Sequence, residues 1–465
     1  MIRLFAYLLL FINLVPASFA NDTGRVSPQM RENAISLIQR AKNDNTGYAV
    51  VESLTTEVGP RLAGTEAEAR ARTWAVNKLT SLGLQNVRIE SFQVPLWTRK
   101  TEQARIISPY PQALTITALG GSPSTGPTGV TGELVAFDSL AQLAVLKDGA
   151  LKGKILFINE AMTRTQDGSG YRLAVAKRRE SGYQALRLGA KAALIRSVGT
   201  SNHRFAHTGQ MQRITEEPLP TVPTAALASP DADQIARMLK LDQAIVLHLI
   251  LETESGSTGT SGNVIAEIPG REHPEQIVLI SAHLDSWDLG TGAVDDGAGV
   301  GIVVGAAKLL LDNLDQTPKR TIRIVLFGSE EVGLVGAQAY AQEHAEELAN
   351  HVVATESDFG AGNVWRFDTR LAEEKLPLAE ALWEVLRPLG ISRGHNTASG
   401  GPDMKYIREA GVPVVQLFQN GWDYFDLHHT ANDTLDKIDP EQLAQNIAAM
   451  AVFTYLAADM EESLR

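Results

Sequence analysis

Four short apolar runs in the second half of the chain, at 277–282, 322–327, 352–355 and 412–417, each have the length and composition of a buried strand. Segments with helical spacing fall between or after them, predicting helices over 297–314, 332–346 and 374–386 and a last one from Pro440 to the end. This alternation predicts an α/β fold: a mostly parallel or mixed sheet sandwiched by helices. Upstream, amphipathic helices are expected over 28–42 and 65–82, the second stopping near Gly83, and the alternation over 87–97 reads as a strand. From 114 to 254 the pattern changes to short β-rich runs such as 154–158 and 192–195, many Gly/Ser/Pro turns, and a helical stretch over 172–188. Gly256-Ser-Thr-Gly-Thr-Ser-Gly262 then reads as a flexible boundary. Residues 114–254 are therefore expected to be an insertion that divides one α/β domain into 21–113 and 255–465.

Open α/β sheets hold ligands beyond the carboxyl ends of their strands. Reading on from the apolar runs gives His283-Leu-Asp285, then Glu330-Glu331, then Glu356-Ser-Asp358, and finally His428-His429 followed by Asp433-Thr434. Residues two apart on a strand share a face, so His283 is placed to point at a metal while Asp285 bonds the other imidazole nitrogen and fixes its tautomer. Asp295 or Asp296 adds a carboxylate from the Gly-rich loop that follows. Each feature alone has a plain structural explanation; a Glu pair opening a helix, for example, suits the helix dipole. Together, four or five acidic groups would repel one another without a compensating cation. Imidazoles and carboxylates without thiolates select zinc in a catalytic site. More than four donors implies two ions about 3.5–4 Å apart, bridged by a carboxylate and a water, with another carboxylate free to act as general base.

Composition narrows the alternatives. At 465 residues with 44% hydrophobic and 21% charged positions, the chain can bury more than one small core. The net charge of −12 and the lack of a long basic run argue against a nucleic-acid partner; Lys177-Arg178-Arg179, with Glu180 next, reads as a solvated helix face. The absence of cysteine removes disulfides, thiolate ligands, Cys nucleophiles and a lipid-anchor thiol. Residues 1–20 read as an export signal, with Arg3, an apolar stretch over 8–15 and Ser18-Phe19-Ala20 as the cleavage site. No other segment approaches membrane-spanning length, so a periplasmic or secreted protein without a membrane anchor is expected.

The ordered motifs carry a resemblance. They are Val58-Gly-Pro-Arg-Leu-Ala-Gly64, Val94-Pro-Leu-Trp97, His207-Thr-Gly209, His283-Leu-Asp-Ser-Trp-Asp288, Asp295-Asp-Gly297, Glu330-Glu331, Glu356-Ser-Asp358, Asp423-Tyr-Phe425 and His428-His429. In this order they resemble the co-catalytic di-zinc exopeptidases (metallopeptidase family twenty-eight), and within them the carboxypeptidase Q branch. The resemblance implies two zinc ions, His283 and Asp358 on one, Glu331 and His429 on the other, and Asp295 bridging them. It implies Glu330 as general base and Asp285 as the partner that orients His283. His429 is preferred to His428 because the family's ligand lies four residues before the Asp of an Asp-Thr pair, here Asp433. A cis peptide is implied at Asp295–Asp296, and Asp288 and Asp296 fall to structural roles. Residues 114–254 resemble a protease-associated domain, whose His203 and His207 either line the substrate pocket or are surface or packed histidines. The tyrosine that simpler relatives use as oxyanion donor has no counterpart in Thr397-Ala-Ser-Gly-Gly-Pro-Asp403, which leaves Tyr424 as a candidate by its closeness to His429.

The function implied is hydrolysis of dipeptides or short peptides with a free amino terminus by a secreted dipeptidase, carboxypeptidase or aminopeptidase that resembles a homodimer-forming group. Two other classes compete. A binding module of the same fold without zinc is disfavoured by the intact ligand set. A dinucleotide-dependent oxidoreductase, raised by Gly299-Val-Gly301, is disfavoured because an acidic loop separates those glycines from the strand, and helix packing explains them as well.

Overall fold

The computed structural model describes residues 25–211 and 220–465; the expected export signal lies outside them. The chain opens with helices α1 (Pro28–Ala41), α2 (Thr46–Glu57) and α3 (Glu66–Ser81). Ser27 caps α1 by accepting from Met30 N at 3.2 Å, with Pro28 as its first residue. Next come β1 (Gln85–Ser108), β2 (Gln112–Leu114), β3 (Ile116–Ala118), β4 (Val130–Phe137), β5 (Ile155–Ile158) and α4 (Ser169–Leu188). They lead to β6 (Ala192–Arg196), β7 (Thr224–Leu227), α5 (Ser229–Leu239) and β8 (Val246–Ile268). The second half runs β9 (His273–His283), α6 (Ala298–Asn313), β10 (Arg320–Phe327), α7 (Val335–Glu343) and β11 (His351–Glu356). It ends with β12 (Val364–Arg370), α8 (Leu376–Leu386), β13 (Ser392–Arg393), α9 (Met404–Glu409), β14 (Val414–Gln419), α10 (Tyr424–Leu427) and α11 (Pro440–Asp459).

The four expected strands are β9, β10, β11 and β14. β9 runs parallel to β10 and β11, and β11 runs parallel to β14. β8 and β12 flank this group antiparallel, so the sheet is mixed. Ile277, Val278, Leu279 and Ile280 are almost wholly buried, as a strand covered on both faces requires. α6 packs on α2 at close range: a Cβ on Gly301 would lie 2.5 Å from Val51 Cγ2 and 2.8 Å from the Gly47 carbonyl. The glycines of this helix are where two backbones meet.

Beyond β8 the sheet continues in the order β4, β5, β6, β7 and β3, with α4 and α5 in the connections. One expectation is corrected here. Residues 256–262 are no flexible boundary but lie inside β8, which pairs antiparallel with β1: Thr260 opposes Gln93, Gly259 opposes Val94 and Thr258 opposes Pro95. Gly, Ser and Thr read as a linker by composition, yet their main chains satisfy a ladder as well as any others. Gly259 is required there because a side chain would strike the Gly64 backbone.

Candidate metal centre

The parallel strands bring their carboxyl ends to one edge. His283 closes β9 directly opposite Phe327, the last residue of β10, and Glu356 closes β11. His283 Nε2 lies 3.2 Å from Asp295 Oδ1 and 3.6 Å from Asp358 Oδ1. His429 Nε2 lies 3.0 Å from Glu331 Oε2 and 3.2 Å from Asp295 Oδ2. Asp295 thus presents one oxygen to each imidazole. His283, Asp295 and Asp358 form one group whose donor atoms could share an ion, and Asp295, His428 and His429 form another. His428 stacks on His429 at 3.5 Å, but its Nε2 is 3.7 Å from Asp295 and it makes no such approach to Glu331.

Main-chain contacts hold this geometry. The Asp295–Asp296 peptide is cis. Asp433 ties the two loops together, accepting from Val294 N at 2.6 Å and Asp295 N at 3.2 Å. Asp296 accepts from His283 N and Gly299 N at 3.1 and 3.0 Å, a structural role. Asp288 pairs with Arg99 at 2.8 Å. Arg61, fully buried, donates to the carbonyls of Leu284, Gly59, Thr291 and Gly292 and so grips both ends of the loop between His283 and Asp295.

The support of the histidine pair comes from a distant part of the sequence. His207 Nδ1 lies 2.7 Å from the His428 carbonyl, Thr208 N donates to the His429 carbonyl at 3.0 Å, and Thr208 O lies 3.2 Å from His429 Nδ1. Gly209 leaves the space beside His429: a Cβ there would collide with the Arg178 guanidinium and lie 2.8 Å from His429 Nδ1. His207 is therefore a packed, buried histidine behind the site and does not line the cleft. Burial pushes its pKa down to about 4, so it stays neutral.

Asp285 acts differently from expectation. The His283 Nδ1 partner is the Asp285 main-chain oxygen at 2.9 Å, while the nearest carboxylate oxygen is 3.8 Å away. The Asp285 carboxylate instead accepts from the main-chain N–H of Glu330 at 3.0 Å and of Glu331 at 3.3 Å. One residue thus fixes the imidazole with its backbone and aims the Glu pair with its side chain.

The donor set fits zinc. A carbonyl only accepts, so Nδ1 carries the proton in both His283 and His429, and each Nε2 turns a lone pair toward carboxylate oxygens. That arrangement is completed by a cation. Asp295 Oδ2 and Glu331 Oε1 are buried without a hydrogen-bond partner, and all the donors are nitrogen or oxygen. Without a cation, burial drives Glu330 and Asp296 well above the usual carboxyl range. Burial alone would lower His283, yet its contacts with Asp295 and Asp358 raise it well above its ordinary value.

A cavity of about 260 Å³ is lined by Asp295, Glu330, Glu331 and Asp358 together with Tyr424 and Arg178 of α4. Burial holds the Tyr424 phenol well above its normal pKa, so it remains a hydrogen-bond donor. The Lys177-Arg178-Arg179 cluster is only in part the solvated face expected. Lys177 is buried and donates to the Glu160 carbonyl at 2.5 Å, and Arg178 is buried against the site; Arg179 is exposed. Thr208 and Arg178 were not predicted as site residues. Their contacts with His429 span more than two hundred positions, and only Thr208 fell within a motif, His207-Thr-Gly209.

Residues 263–454 match Peptidase family M28. The chain is 35% identical to Carboxypeptidase Q of Bos taurus over 92% of its own length and 89% of that protein. It superimposes on the crystal structure of a Peptidase M28 precursor from Shewanella amazonensis SB2B with a TM-score of 0.91, 49% identity, and coverage of 94% of this chain and 98% of that one. An aminopeptidase from Aneurinibacillus sp. strain AM-1 shares the fold, with a TM-score of 0.62 at 23% identity over 92% of this chain and 97% of the other.

Proposed function

The chain belongs to peptidase family M28, and we propose that it is an exported zinc exopeptidase that hydrolyses dipeptides or short peptides with a free amino terminus. The observation that carries the reading is Asp295 facing two imidazoles with its two oxygens, each group joined by a further carboxylate. His283, Asp295 and Asp358 would hold one zinc, and Asp295, Glu331 and His429 a second. Bound zinc supplies Lewis acidity toward a peptide carbonyl and makes water a nucleophile near neutral pH.

The protein's own groups do the rest. Glu330, aimed by its main-chain bond to Asp285, takes the proton of the attacking water and returns it to the leaving amine as the C–N bond breaks. Tyr424, which lines the cavity, would donate toward the developing oxyanion. Asp285 positions Glu330 and is not itself a proton carrier. Residues 114–254 are read as a protease-associated domain covering one side of the cleft, supported by the reach of α4 and residues 207–209 to the histidine pair. Export rests on the reading of residues 1–20, and the homodimer implied by the resemblance is checked by light scattering.

Glu330→Gln should lower kcat on free dipeptides by about 10²–10⁴-fold while zinc content, measured by mass spectrometry, stays unchanged. Near-normal turnover in that variant would remove Glu330 from the mechanism. A parent protein with full zinc that prefers N-acetylated dipeptides would overturn the amino-terminal geometry. A parent with less than one zinc per chain and no turnover on either would favour a binding module.

A further inference from the structure

We propose that Arg178 binds the terminal carboxylate of the substrate, so that the cleft selects short peptides ending in a free carboxyl group. This rests on the peptidase reading above and adds what holds the far end of the substrate.

Arg178 lines the cavity beside His429 and is buried. Its Nη2 donates to the Tyr171 hydroxyl at 2.8 Å. Its Nη1 lies 3.4 Å from His429 Nδ1, which already carries the proton directed at Thr208, so that contact is packing. Its Nε is buried without a partner, and no carboxylate is ion-paired with it among the described residues. Two other arginines are matched by carboxylates: Arg164 pairs with Asp423 and Asp426, and Arg99 with Glu102 and Asp288. A buried, unmatched guanidinium is costly unless a ligand completes it.

Charge decides the sign of that ligand. Arg178 is a buried cation whose polar neighbours are the neutral Tyr171 hydroxyl and an imidazole, with no carboxylate paired to it among the described residues. An anion is what this wall lacks, and a planar guanidinium matches a carboxylate with paired N–H donors. The cavity of about 260 Å³ lies just below the usual range for small-molecule pockets, so the anion must belong to a short ligand. A peptide whose carbonyl sits at the metals and whose carboxylate lies one residue further on meets both conditions.

The test uses zinc-loaded protein carrying Glu330→Gln, so that nothing turns over, and measures binding of alanyl-leucine and of its carboxamide by calorimetry. The acid should bind about 10- to 100-fold more tightly, the range of one charge-assisted hydrogen-bonded pair. Arg178→Gln in that background should bring the two within about threefold, and Arg178→Lys should keep part of the preference. Equal binding of acid and amide overturns the proposal, as does a preference that survives Arg178→Gln. If the glutamine variant fails to fold, the ratio in the parent background and its partial loss in the lysine variant still decide. Hydrolysis by the unmodified enzyme separates the two readings. Equal cleavage of acid and amide defeats only the anchor, whereas cleavage of neither defeats the peptidase reading.

Discussion

Arg61 shows how much of the proposed metal site rests on a residue outside its donor set. Its guanidinium meets four carbonyls, two of them on the segment just before Asp295. Replacing it with methionine leaves those carbonyls buried without donors, at about 1–3 kcal/mol each where water cannot reach. We expect Arg61→Met to cost at least about 3 kcal/mol in urea unfolding, and zinc affinity to fall by about 10–100-fold as Asp295 loses its support. Arg61→Lys should recover little, since one ammonium cannot span the four acceptors. Unchanged unfolding and zinc titration in Arg61→Met would reduce the residue to filler. The proposed metal donors were legible in the sequence because they are side chains that follow the strand ends. Arg61 was visible only as part of a motif, since its acceptors are carbonyls that no side-chain pattern announces. Asp285 was misjudged for the same reason: its backbone does the work expected of its carboxylate.

Among elements, α7, β10 and β11 are locked by a polar cluster at the sheet end away from the metals. Arg323 on β10 pairs with Glu267 on β8 at 2.7 Å and with Glu347 at 2.5 Å, and it donates to the Tyr340 hydroxyl at 3.0 Å. His351, the first residue of β11, contacts the same hydroxyl through Nε2 at 2.9 Å and the Glu347 carbonyl through Nδ1 at 3.1 Å. Burial, with Arg323 and His344 nearby, pushes His351 down to about 4. Its folded pKa lies below its unfolded value near 6.5, so the unfolded chain binds the extra proton. Stability from this group is therefore complete above about pH 6.5 and is lost as pH falls toward 4, at most about 3 kcal/mol. Urea midpoints of the zinc-loaded protein should drop between pH 7 and 4.5, and His351→Gln should flatten that slope; an identical slope would clear His351. These strands were legible from their apolar runs, but two others were not. β12 carries half-exposed Trp365 and Arg366 and so lacks a continuous apolar signal. The central part of β8 is polar because it pairs with β1 outside the core, where composition says nothing about partners.

At the scale of the whole molecule, β8 belongs to both halves of one sheet, and the site draws on both. One half gathers acidic groups that repel one another; the other supplies Thr208, His207 and Arg178 behind the histidines. This predicts how metal and pH act together. In protein stripped by a chelator, burial lifts Asp285 and Asp433 to about 7 and Glu330, Asp296 and Glu356 well above their ordinary range. A carboxyl whose folded pKa exceeds its unfolded value near 4 keeps a proton that the unfolded chain releases. Its stabilisation is full below about pH 4 and disappears as pH rises through the folded pKa. The stripped protein should therefore weaken from pH 5.5 to 7.5. Bound zinc keeps the ligand carboxylates charged and favours ionised neighbours, so the loaded protein should show mainly the opposite, His351-driven trend. The gap in melting temperature between zinc-loaded and chelated protein should widen over that range by about 5 °C or more. Thermal melts at pH 5.5, 6.5 and 7.5 measure it directly. A gap that stays constant or narrows would mean that these acids are already neutralised within the fold, and the cluster would lose its claim to need a cation.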